Sequence, residues 1–141
     1  MKTKFAKIMD IVMPILIILL IGYIAVDNIN ERKVKQFYED CISFSEIIET
    51  TMPEDFDFEV RAQEYGNGNG DTVHLFVDIY NYDETMLETI ENDIYPLIET
   101  KFKEFEFNNK YQKLHVDVFE MFKKETGGTY GRGVSFKEIS K

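Results

Sequence analysis

The chain has 141 residues with 26 acidic against 16 basic side chains, a net charge of −10, and 44% hydrophobic residues including twelve Phe and eight Tyr. So many core-forming side chains argue against a disordered chain. The charge argues against a nucleic-acid partner, because residues 1–26 hold three basic and one acidic side chain, leaving 13 basic against 25 acidic, net −12, in the remainder. A surface of that sign repels phosphate backbones.

Residues 1–10 form a short tail carrying Lys2, Lys4 and Lys7. Residues 11–26, IVMPILIILLIGYIAV, then run without a charge, and extension back to Ile8 takes in only Asp10. A bilayer core of about 30 Å needs roughly 20 helical residues. The run 11–26, or 8–26, is therefore expected to be a transmembrane helix, with Asp10 near one end where the headgroups can solvate it. A secretory signal also begins with a basic and an apolar part, but its cleavage site needs small residues in an A-x-A-like pattern. Here Tyr23 precedes Ala25 and Leu20 precedes Gly22, so a retained signal anchor is expected. Arg32, Lys33 and Lys35 balance the three lysines of the tail, which leaves the count of basic residues tied across the run. Short basic tails resist translocation, and folded domains are exported largely regardless of charge. The expectation is an amino terminus in the cytoplasm and an extracytoplasmic domain at the cell membrane.

Residues 27–52 read as a juxtamembrane amphipathic helix that opens the domain, and 53–141 as the rest of it. Val34, Phe37, Tyr38, Cys41, Ile42, Ser45 and Ile48 recur at three and four, and Pro53 closes the pattern. Neither Pro nor Gly separates Val26 from Val34, so the membrane helix is expected to continue into this one. Cys41, the sole cysteine, falls on the apolar face, where a thiol acts as a small buried hydrophobe.

From Phe56 the period becomes two: Phe56, Phe58, Val60 and Ala62 alternate with Asp57, Glu59, Arg61 and Gln63. A second strand is predicted over 72–80, joined to the first by a Gly/Asn turn over Gly66–Asp71. Asp83 is placed to cap a second helix, in which Met86, Leu87, Ile90, Ile94, Leu97, Ile98 and Phe102 form one stripe. Pro96 interrupts it by removing the hydrogen bond to the Asn92 carbonyl, which predicts a kink. Leu114, Val116 and Val118 mark a third strand, and 133–139 a weaker fourth. The glycines at 127, 128, 131 and 133 lack the G-K-[ST] ending of a phosphate-binding loop and read as a turn.

Helix, two strands, helix, two strands implies an α+β fold: a two-layer sandwich with both helices on one face of a four-stranded antiparallel sheet. The other face then carries His74, Phe76, Asp78 and Tyr80 from the second strand and His115, Asp117 and Phe119 from the third. Phe76, Tyr80 and Phe119 are the candidate partner-binding residues, since clustered apolar surface on an acidic domain marks an interaction site. The partner expected is an envelope protein or a second copy, and no cofactor or catalytic residue is assigned. A metal-dependent enzyme or binder using His74, Asp78, His115 and Asp117 is the alternative, although no H-x₃-H or H-E-x-x-H spacing supports it. A third reading, a small-ligand sensor, would have to signal through a partner because the tail is too short for an output domain.

Overall fold

The computed structural model describes residues 4–64 and 70–141. It separates into two compact units, one ending at Lys35 and one running from Gln36 to Lys141. The first consists of the leading part of a single helix, α1 (Lys4–Glu49), so the apolar run and the amphipathic stretch after it are one element. Side chains such as Ile18, Leu19 and Tyr23 are more than half exposed along this part. A helix apolar on every side and uncovered by protein suits hydrocarbon, and its length and composition allow it to cross a membrane.

In the second unit, α1 contributes Phe44 and Ile48, both fully buried, to the core. The chain then forms β1 (Phe58–Glu64), β2 (Thr72–Ile79), α2 (Met86–Thr89), a π-helical turn (Ile90–Ile94), α3 (Tyr95–Glu104), β3 (Lys113–Lys123) and β4 (Thr129–Ser140). Of the predicted connection between β1 and β2, residues 66–69 lie outside the described residues. The strands stand in the order β1-β2-β3-β4, an α+β arrangement. The core joins Val60, Val73, Leu75, Val77, Leu114, Val116 and Val118 of the sheet to Phe44, Ile48, Ile94, Ile98 and Phe102 of the helices. Both helical layers therefore cover the same face.

One feature departs from the fully antiparallel sheet that the sequence predicts. β1–β2 and β3–β4 are antiparallel, but β2 and β3 pair in parallel, Val73 opposite Leu114 and Ile79 opposite Glu120. The cause is the connection: α2, the π turn and α3 carry the chain back along the sheet, so β3 starts beside the start of β2. Where a kink is predicted at Pro96, the helix changes its hydrogen bonding. The Tyr95 N–H donates to the Ile90 carbonyl, a wide turn immediately before the proline, and Pro96 then occupies the start of α3, where it has no bond to lose. Asp83 accepts from the Thr85 N–H at 2.8 Å in the turn before α2, whose cap position is Thr85 rather than Asp83, without a side-chain bond. β4 begins earlier than the weak strand predicted at 133, at Thr129, after a turn in which Gly127 (φ 88°) and Gly128 (φ 86°) adopt left-handed conformations.

At the end of the domain where α1 joins it, Asp40 is buried, and its two carboxylate oxygens accept from the Asn108 backbone N–H and side-chain amide, both at 2.7 Å. Phe37 meets Tyr111 edge to face at 5.5 Å beside the start of β3. These contacts fix α1 from residue 36 onward against the segment between α3 and β3.

Candidate functional site

The pairing register assembles the uncovered face of the sheet row by row. Gln63, His74, His115 and Glu138 lie across the four strands in one row, and Arg61, Phe76, Asp117 and Phe136 in the next. Beyond these, Glu59, Asp78 and Phe119 are followed on β4 by Gly133, because a bulge shifts the register after Val118. His74, Phe76, Asp78, His115, Asp117 and Phe119 lie on the face that alternation assigned them, whereas Tyr80 falls just past the end of β2, and the parallel pairing sets His74 directly beside His115.

Aromatic contacts connect the rows. The His74 and His115 rings meet edge to face at 4.8 Å, His74 stacks on Phe76 at 6.2 Å, and Phe76 lies 6.2 Å from Phe119. His115 also meets Phe136 at 5.6 Å. Phe76 and Phe119 are half-buried among these neighbours, and Phe136 is 58% exposed. Tyr80, just beyond β2, donates its hydroxyl to Glu59 at 3.2 Å and so belongs to the β1 side of the face.

Arg61 and Asp78 set the electrostatics of the centre. The Asp78 side chain is 4% exposed and accepts two bonds from the half-exposed Arg61 guanidinium, at 2.8 and 3.1 Å. The same guanidinium stands over the Phe76 ring at 5.4 Å. One charged group thus neutralises a buried acid and roofs an aromatic. A depression of about 250 Å³ lies between Arg61, Phe76, Asp78, Phe119, Met121 and Gly131. A second, of about 450 Å³, is bordered by Asp71, Thr72, His74 and His115.

The four candidate metal-binding residues are divided by this arrangement. His74 and His115 are together, but Nε2 of His115 lies 2.7 Å from a Glu138 carboxylate oxygen, and Asp78 is engaged by Arg61. Among the described residues no three His, Cys, Asp or Glu side chains converge as a metal site would require. Burial, and then the neighbouring His115, hold the His74 pKa below its ordinary value, while Asp117 acts in the opposite sense.

Arg61, Met121, Phe136 and Glu138 are part of this surface but were not singled out from the sequence. Arg61 and Phe136 have the right alternation within their strands. What was missing was the strand order, which puts Arg61 opposite Phe76 and Phe136 opposite Asp117. Compared with known proteins, the chain matches no family model and no curated sequence.

Proposed function

We propose that this protein is a single-pass membrane protein whose acidic domain stands outside the cytoplasm and binds another envelope protein through the uncovered face of its sheet, without catalysis. The observation that carries the reading is the uneven covering of the sheet. Both helical layers lie on one side, and the other presents Phe76, Phe119, Phe136 and Arg61 on a domain of strongly negative charge. Aromatic side chains with arginine, ringed by polar groups, are the composition of an interface centre rather than of a solvated sheet. The apolar helix supplies the location, and the basic tail favours a cytoplasmic amino terminus.

Replacing Phe76 and Phe119 together by Ser is expected to abolish partner binding while the domain keeps its circular dichroism and cooperative melting. Loss of folding instead would make the face part of the core and sink the proposal. A reporter fused after Lys141 tests the orientation independently.

The second reading, a metal-dependent role, is favoured by one observation, the approach of His74 to His115. It predicts metal bound after purification and lost in a His74→Ala/His115→Ala variant. A variant that matches the parent in every property would dispose of it.

A further inference from the structure

The β3–β4 hairpin outruns the rest of the sheet. β2 ends at Ile79, opposite Glu120, whereas β3 continues through Met121, Phe122 and Lys123, paired only with Gly131, Tyr130 and Thr129 of β4. This two-stranded arm carries a stacked pair, Phe122 on Tyr130 at 5.0 Å, with Tyr130 half exposed. An isolated ribbon of two strands buries too little to be stable alone, and an exposed aromatic stack on one is surface available to a partner. The arm is also opposite in charge to the domain that bears it: over residues 120–132, Lys123, Lys124 and Arg132 stand against Glu120 and Glu125, a net charge of +1. Arg132 is paired with Glu120 at 2.6 Å, and the Lys124 ammonium lies 5.9 Å from the Tyr130 ring centre.

The complement to this arm is on the same end of the same domain. Because β2 and β3 are parallel, the loop that follows β2 and the loop that precedes β1 lie at the end from which the arm projects. The two loops are tied together, Asn81 donating to the Asp55 carbonyl and accepting from the Asp57 N–H, both at 2.9 Å. They expose Glu54, Asp55, Asp57, Asp83 and Glu84. The domain thus presents a basic aromatic arm and an acidic platform at the same end of its sheet, and the lysines of one copy complement the carboxylates of another.

The geometry points to the β3–β4 arm as a self-association element that docks, through Phe122, Lys123, Lys124 and Tyr130, on the acidic loops of a second copy of this chain. The docking residues are distinct from those of the proposed partner site, whose depression the arm's Met121 and Gly131 border.

Energy transfer between donor- and acceptor-labelled full-length protein in dilute phosphatidylcholine vesicles tests it. Transfer above that of non-interacting anchored copies is expected, falling as salt is raised. Lys123→Glu/Lys124→Glu should weaken association by about tenfold or more. Mixing that variant with Glu54→Lys/Asp55→Lys/Asp83→Lys should restore transfer, although neither variant associates with itself. Wild-type protein that shows no transfer, or a lysine variant that associates like the parent, would overturn the inference. So would an arm that leaves copies separate and binds only vesicles containing phosphatidylglycerol.

Discussion

His74 couples the sheet face to pH. Its pKa in the folded protein lies below the ordinary 6.5 because burial and His115 disfavour the imidazolium. The unfolded chain therefore binds the proton more readily, so this group favours unfolding once the pH falls below about 6.5 and has no effect well above it. Melting curves of the parent and of His74→Gln at pH 7.5 and 5.5 should show the smaller acid-induced loss in the variant; equal losses would contradict the reading. Asp40 is a residue of another kind, held by two bonds from Asn108. Asp40→Ala removes the buried acceptor of both bonds, while the Asn108 donors stay within reach of water, for an expected cost of about 1–2 kcal/mol in chemical denaturation. Next to it, burial, then Asp40 and Glu64, push the Cys41 thiol up to about 12. The thiolate is thus scarce near neutral pH, and iodoacetamide should modify the native protein only after denaturant is added.

At the scale of elements, what could be read in advance was whatever periodicity encodes. Ile90, Ile94, Ile98 and Phe102 keep one apolar stripe in phase across Pro96, and all four are buried in a single core. The sequence pattern could not say that the proline's disturbance would be absorbed by a π turn, because that depends on how the two segments seat on the sheet. Alternation likewise assigned His74, Phe76, His115 and Phe119 to one face. Alternation is blind to direction, however, and the parallel pairing that brings His74 beside His115 comes from the length of the helical connection. Arg61 escaped notice for the same reason: its value to the site is the buried Asp78, a partner seventeen positions away. Removing the guanidinium, as in Arg61→Ala, should cost about 1–3 kcal/mol and raise the mobility of Phe76, measurable by denaturation and ring relaxation. The turn into β4 is constrained locally. Gly127→Ala places a side chain at φ 88° and is expected to destabilise the hairpin by about 1 kcal/mol.

For the whole molecule, location and domain architecture follow from the chain more directly than a ligand does. An uncharged run and the α1 helix that contains it are long and apolar enough to cross a membrane. The domain accounts for the rest by covering one side of its sheet and leaving aromatic side chains, an arginine and two histidines on the other. Its acidic surface restricts partners to those that tolerate or complement negative charge. The most direct test replaces Phe119, and separately the exposed Thr100 of α3, with a photo-crosslinking residue in the full-length protein in intact cells. The proposed function predicts a discrete adduct with a different membrane or envelope protein from position 119 and none from position 100. Equal capture from both positions, or none from 119, would contradict it.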